Sequence, residues 1–539
     1  MRTARWILLA TVAIGAAQQT SGPIRFTDVT ASSGIMFVHS FGAEKLGSLV
    51  ESTGSGAVWF DYNNDGLIDL YVTSGRPLET GMHPYPLRKP PATPPGNHLY
   101  RNDGKGKFTD VTANAGVATT LFSTAATAAD YDNDGNTDLF VAGYGGNALL
   151  RNRGDGTFED VTAKAGIRAP GWSIGSAWLD YDRDGCVDLF VGRYVKFDPK
   201  YRAYYPADNY PGPLDYRPDT NLLFHNNCDG TFKDVSEQSG IGIPKGRAMG
   251  VTAADFDGDG YPDIYVANDK TENFLFQNQK DGKFKEIAVP AGVAYGQNGE
   301  NTSAMGPVML DFDLDGITDL WVSDSKYNRL MKGLGRAKFE DVTEQAGISQ
   351  LAAQYVSWGT GAHDFDNDGK PDLFVAHGGL IHMVPQEHSV FRNLGGCKFE
   401  DVSQQAGSFF EVKSVGRGAA FADFDNDGKV DGFVLNLGGP GYLLRNESPG
   451  TNHWVMVRLV GRKSNRDGIG AVVELAAGGK TQKRERITGA GYLSQDDPRL
   501  HFGLGSSATV DSLTVLWPSG TRQKVANVQI DRVITVQEP

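Results

Sequence analysis

The sequence predicts an all-β protein: a seven-bladed β-propeller closed by its N-terminal strand, followed by a small C-terminal β-sandwich or barrel. Three observations carry this. An acidic nine-residue string recurs seven times along the chain. Each copy sits between the same kinds of short strand in the same order, a four-strand unit of the kind that builds propeller blades. The outermost strand type appears once before the first unit and is missing after the last, as a closed ring requires.

The repeated string reads Asp, aromatic, Asp or Asn, any residue, Asp, Gly, two residues, Asp. Its ligand positions are Asp61, Asn63, Asp65 and Asp69 in the first copy. They are Asp130, Asp132, Asp134 and Asp138 in the second, and Asp180, Asp182, Asp184 and Asp188 in the third. The fourth holds Asp255, Asp257, Asp259 and Asp263, and the fifth Asp311, Asp313, Asp315 and Asp319. The sixth holds Asp364, Asp366, Asp368 and Asp372, and the seventh Asp423, Asp425, Asp427 and Asp431. Oxygens at positions 1, 3, 5 and 9, with a Gly at 6 to make the bend, wrap a hard cation, and the carbonyl at position 7 adds a further ligand. The pattern therefore predicts up to seven structural Ca2+ ions. The first site, with Asn63 in place of a carboxylate, should bind most weakly. Seven divalent ions would offset the net charge of −14. The acidity is thus read as ligand charge rather than as a field that steers partners; an acidic chain ordinarily avoids nucleic acid, and none is expected as a partner.

Arg2 and Arg5 precede the apolar run from Trp6 to Ile14, and small residues follow at 15–17. This predicts a signal peptide over residues 1–17. No other stretch reaches the ~18 apolar residues a spanning helix needs, so the mature chain is expected to be exported, whether periplasmic, cell-surface or secreted. Cys186 and Cys228 fall in the same repeat. A bond between them and three unpaired thiols are both open readings, with Cys397 left over in either case.

The propeller is expected over residues 24–448. In each unit a strand of small residues (A) enters the acidic string, as at residues 125–129, and an apolar strand (B) leaves it. The small side chains suit the crowded axis of a ring. An apolar-Arg-Asn strand (C) follows, as at Leu149 to Asn152, and then a Phe-x-Asp-Val-Thr strand (D). The marker Phe of D lies eight residues after a fixed position in C in six units, from Tyr100 to Phe108 through Phe391 to Phe399. Such constancy marks a tight hairpin. The D strand at Phe26 has no A, B or C before it, so it is assigned to the unit that runs from Gly416 to Asn446. B–C connections at 76–98, 193–220 and in the sixth unit carry inserts. Because chain direction alternates, these inserts and the acidic strings are expected on opposite faces.

Residues 451–539 carry six strand-like runs in a different pattern and form the small β domain. The blades resemble FG-GAP/VCBS repeats, the calcium-binding units of integrin-type propellers. The tail resembles the ASPIC/UnbV domain through Asn452-His-Trp454, Ser464-Asn-Arg-Asp-Gly-Ile-Gly470, Gly491-Tyr-Leu-Ser-Gln495, Leu500-His-Phe-Gly-Leu-Gly505 and Trp517-Pro-Ser-Gly520. Together they resemble the cartilage-acidic-protein family. That resemblance implies calcium binding, export and recognition; it does not imply a defined enzymatic activity. The Ser464–Gly470 string reads equally as a turn and as a binding or domain-docking site.

The insert-bearing face is where a ligand is expected. Tyr and Pro in the third insert offer rigid amphipathic contact area for sugar or peptide. The candidate ligand-binding residues are Tyr194, Tyr201, Tyr204, Tyr205 and Tyr210, with Trp172, Trp358 and His382. The opposing reading of the Tyr cluster is a loop packed on itself. His363, His377, His382 and His388 match no ligand spacing and read as scattered loop histidines. The function expected is recognition or adhesion toward a carbohydrate or an extracellular protein. The alternative is a polysaccharide-active enzyme, lyase or hydrolase, on the face opposite the calcium loops.

Overall fold

The computed structural model describes residues 23–78, 96–201, 209–349, 354–380 and 382–539. The expected signal peptide, together with Tyr204 and Tyr205, lies outside these residues. Seven four-stranded antiparallel sheets each follow the order A-B-C-D. The first is Ala57–Phe60, Asp69–Val72, His98–Gly104 and Lys107–Asp110. The seventh is Gly416–Ala422, Asp431–Asn436 and Tyr442–Asn446, completed by Phe26–Asp28 from the other end of the chain. Phe26 lies opposite Asn446 and Asp28 opposite Leu444. The innermost strands touch one another in cyclic order, and the seventh returns to the first.

The hydrophobic core lies between blades rather than within them. One buried cluster joins Val58, Phe60, Tyr71 and Leu99 of the first blade to Ala126, Leu139, Val141 and Leu150 of the second. Twisted sheets packed face to face account for this, since each offers an apolar surface to both neighbours. The marker Phe residues have a specific use. The aromatic at position 2 of each acidic loop meets the marker Phe of the next blade. Tyr62 meets Phe158, Tyr131 meets Phe232, Tyr181 meets Phe284, Phe256 meets Phe339 and Phe312 meets Phe399, with ring centroids 5.6 to 6.4 Å apart. The closing pairs are Phe365 with Phe26 at 5.2 Å and Phe424 with Phe108 at 5.8 Å.

The tail is a two-sheet sandwich. One sheet pairs His453–Val460 with Leu500–Gly505 and, in parallel, with Arg532–Gln537. The other runs Lys480–Glu485, Val472–Ala477, Ser512–Leu516 and Arg522–Val525. Val455, Val457, Val473, Leu475, Phe502, Val515 and Trp517 fill the space between them.

The third insert forms a small sheet of its own, in which Arg217–Thr220 pairs with both Val195–Lys196 and Lys245–Gly246. Cys186 and Cys228 are bonded to each other, and Cys397 is free and buried. Of the two cysteine readings, pairing is the one the fold realises. It ties the third acidic loop to the C–D turn of its own blade.

Candidate functional site

The seven acidic loops share one backbone geometry. The Asp at position 1 turns its carboxylate inward and accepts backbone N–H groups from later in the loop. In the second copy Asp130 accepts from Asp134 at 3.0 Å and from Gly135 at 2.7 Å. The sixth and seventh copies repeat this through Asp364 and Asp423. The position-6 glycines have φ between +84° and +92°, which explains the residue type. Position 4 is also left-handed, at Asn64, Asn133, Arg183, Leu314, Asn367 and Asn426, so its side chain projects away from the loop. At position 9 each carboxylate is buried and clamped at both oxygens. Asp138 accepts from Tyr131 N at 3.2 Å and from Asn152 N at 2.7 Å.

This packing brings several carboxylates together in poorly solvated space. Burial pushes the position-9 carboxyls up, to about 8 for Asp69 and Asp188 and to about 9 for Asp263. Asp138, Asp372 and Asp431 are likewise driven well above the ordinary carboxylate range by burial. Basic side chains from the C strands offset part of the charge. Arg151 reaches Asp132 at 2.6 Å and Asp134 at 3.0 Å, and Lys332 reaches Asp313 and Asp315. The offset is incomplete. Buried oxygens of Asp132, Asp180, Asp313 and Asp425 have no hydrogen-bond partner. A divalent ion would supply what these atoms lack, so the donor set fits a hard cation. Asp130, Asp132 and Asp138 already place one oxygen each within 4.8 Å of the others, and so do Asp180, Asp182 and Asp184.

The Asn carried by six of the seven C strands has a role the sequence pattern did not disclose. Its backbone N–H holds the position-9 carboxylate of its own blade. Its side-chain amide donates to position 8 of the same loop and to position 2 of the preceding blade's loop. Asn152 thus binds Thr137 O and Tyr62 O, and Asn278 binds Pro262 O and Tyr181 O. Asn102, Asn226, Asn393 and Asn446 repeat the arrangement. In the fifth blade Gly333 stands at this place, because a Cβ there would lie 2.3 Å from Thr318 O. Ala337 N takes over the link to Phe256 O.

The tail docks on the same face as the acidic loops. Arg466 N donates to Asn133, Asp130 N donates to Asp467, and Asp255 N donates to Glu485. Arg183 binds Pro518 O, Gly505 N binds Asn367 O, and Arg499 binds Asn426 and Asp423 O. Projecting position-4 residues make several of these contacts. The Ser464–Gly470 string, through Arg466 and Asp467, is therefore a docking segment. Burial raises the Glu485 carboxyl to about 8, with Asp255 adding to the rise.

From this face a hairpin over residues 487–497 enters the shaft of the propeller. Gln495 pairs with Ala57 and Trp59 through its backbone and with Ala128 through its side chain. Thr488 binds Trp178, Gly491 N binds Pro307 O, and Asp496 meets both Phe421 N and His363. At the tip Tyr492 donates to Thr53 O, and its ring lies 5.1 Å from that of Trp358. The small residues of the inner strands make room for this hairpin as well as for one another. A Cβ on Gly56 would lie 1.8 Å from Leu493 O.

The expected ligand-binding residues fare differently. Trp172, Tyr194, Tyr210 and Trp358 are buried, which corrects their assignment to a contact surface. Tyr194 packs edge-on to Trp172 at 4.9 Å and donates to Asp269, and Arg417 stacks over Trp358 at 3.9 Å. They serve the packing of the insert and the closure of the shaft. Tyr201 and His382 remain exposed. His363 pairs with Asp496 of the tail, while His377 and His388 are buried and bonded to Ser357, Ser389 and Ser414.

Comparison with known proteins matches an FG-GAP-like repeat profile at residues 61–141, 130–191, 214–266, 255–322, 311–375 and 364–434. An ASPIC and UnbV profile matches residues 461–539. The chain is similar to cartilage acidic protein 1 of Xenopus tropicalis, 31% identical over 294 residues, covering 51% of this chain and 43% of that one. The mouse protein is 28% identical over 326 residues, covering 57% and 48%. The chain thus matches less than half the length of these relatives. Among solved structures, an Agrocybe aegerita lectin that recognises non-reducing terminal N-acetylglucosamine has a TM-score of 0.39 at 17% identity, covering 71% of this chain and 86% of that one. The rhamnogalacturonan lyase YesW has a TM-score of 0.34 at 13% identity, covering 92% of each.

Proposed function

Since the chain belongs to the FG-GAP-like repeat family and ends in an ASPIC and UnbV module, we propose that it is an exported, calcium-stabilised recognition protein. Its ligand is a carbohydrate or an extracellular protein, bound on the face that carries the inserts. One observation carries the reading: the acidic loops all face the docked tail, and the tail's hairpin fills the shaft. Ions in those loops support the fold and stand away from the other face. The filled shaft also favours binding over catalysis, because the axis is where side chains from several blades would otherwise converge on a substrate. Export is supported by the signal-like residues 1–17 and by the Cys186–Cys228 bond, which suits an oxidising compartment. Among the described residues no helix is long and apolar enough to cross a membrane.

The test has two parts. Titrating calcium into chelator-treated protein should raise the melting temperature by many degrees and saturate near seven ions. A glycan and polysaccharide panel, scored for both retention and product release, should then give retention alone. An unchanged melting temperature would remove the metal reading, and released product would replace recognition with catalysis.

A further inference from the structure

A cleft of about 500 Å³ lies between the first blade and the docked tail. Its floor is formed by Arg486 with the buried side chain of Gln495, and its roof by the outer face of the tail's three-stranded sheet. On that sheet Val455, Val457 and Leu459 point into the sandwich, which leaves Trp454, Met456 and Arg458 turned toward the propeller. Trp454, Arg458, Arg532 and Thr535 all line the cleft.

Its charges are unevenly satisfied. The carboxylates are committed: Asp467 accepts from Asp130 N, and Asp531 accepts from Trp454 N and meets His453. Arg499 forks onto Asp497. The other three arginines are different. Among the described residues Arg458, Arg486 and Arg532 make no direct ion pair, although Asp61 lies near Arg458 and Asp467 and Asp497 lie near Arg486. Arg486 is only 4% exposed, and its guanidinium makes one hydrogen bond, to Ile487 O. The remaining Arg486 donors are not among the buried atoms sealed off without a partner, so they stay open to an acceptor that enters the cleft. The planar fork suits the two oxygens of a carboxylate. A volume of this size holds a ligand of one or two sugar rings.

We propose that this cleft binds a small organic anion of one- to two-sugar size, whose carboxylate rests on Arg486, with the exposed Arg458 and Arg532 also lining the site. The site lies on the face opposite the inserts and does not depend on what they bind. The Asp61 loop forms one wall, so a cation held there would offset the carboxylates that otherwise repel the anion.

The experiment is calorimetric titration of the full-length, calcium-loaded protein with glucuronate, with glucose as the matched neutral sugar and inorganic sulfate as the small anion. Glucuronate should bind saturably and more tightly than sulfate, and glucose should not bind. In Arg458→Gln/Arg532→Gln, which alters exposed side chains only, glucuronate affinity should fall roughly tenfold or more with the melting temperature unchanged. Arg486→Gln should abolish binding, and Arg486→Lys should restore part of it. Sulfate binding as tight as glucuronate would overturn the assignment to an organic anion. No saturable glucuronate binding, equal binding of glucose, or binding indifferent to the double substitution would overturn the site.

Discussion

Asn278→Ala tests whether the C-strand asparagines join the blades. The side chain donates to Tyr181 O at 2.8 Å and Pro262 O at 3.2 Å, and accepts from Lys280 N at 2.8 Å. Asn278 is 3% exposed, so water does not readily replace these partners. Three bonds lost at about 1 kcal/mol each cost roughly 3 kcal/mol in all. A chain of this length has an unfolding entropy of about 1 kcal/mol per kelvin, so the melting temperature should fall by ~3 °C. Calorimetry with calcium present is the assay. Because the backbone N–H that holds Asp263 survives the substitution, calcium stoichiometry should not change. A shift below ~1 °C would refute the stapling role. Loss of one bound ion at unchanged stability would place Asn278 in the ion site instead.

Four further outcomes are expected. Asn63→Asp should raise cation affinity at the first loop, seen as a stronger weakest step in a calcium titration. Cys186→Ser/Cys228→Ser opens a 42-residue loop, and should cost about 4 kcal/mol by chain entropy, measured by denaturation. Burial lowers the His388 imidazole to about 4. The unfolded group binds protons first as pH falls, so His388 contributes stability that is complete above about 6.5 and lost toward about 4, roughly 3 kcal/mol in all. His388→Asn should flatten that part of a pH–stability profile. Gly56→Val should displace the shaft hairpin, detected as new proteolytic cleavage between residues 487 and 497.

The repeat was legible in the sequence because its chemistry is local. A carboxylate loop needs its oxygens at fixed offsets and a glycine at the bend, and both appear as letters in a row. The hairpin spacing of eight residues set the C–D register, and the unpaired Phe26 strand implied the closed ring. Apart from the ring closure, these features depend on residues close together in the chain and on the strand period of two. Cys186 and Cys228 sat on the margin: they shared a repeat, but only the C–D turn placed them side by side.

What the tertiary structure decided is where non-local surfaces meet. The Asn of these C strands read as a strand ending, yet its amide bridges two blades, because the ring brings the preceding loop's carbonyl within 3 Å. Trp172, Tyr194 and Trp358 looked like exposed recognition residues. Their burial follows from the insert folding back on the blade and from the tail reaching through the shaft, neither of which has a sequence period. The small residues of the inner strands were attributed to crowding at the axis, whereas Gly56 also admits a hairpin from more than 400 positions away. Sequence by itself determined the unit and its set of carboxylates, since those are set by covalent spacing. The order of the blades' contacts, the docking of the tail and the arginine-lined cleft arose only when surfaces distant in the chain were packed against each other.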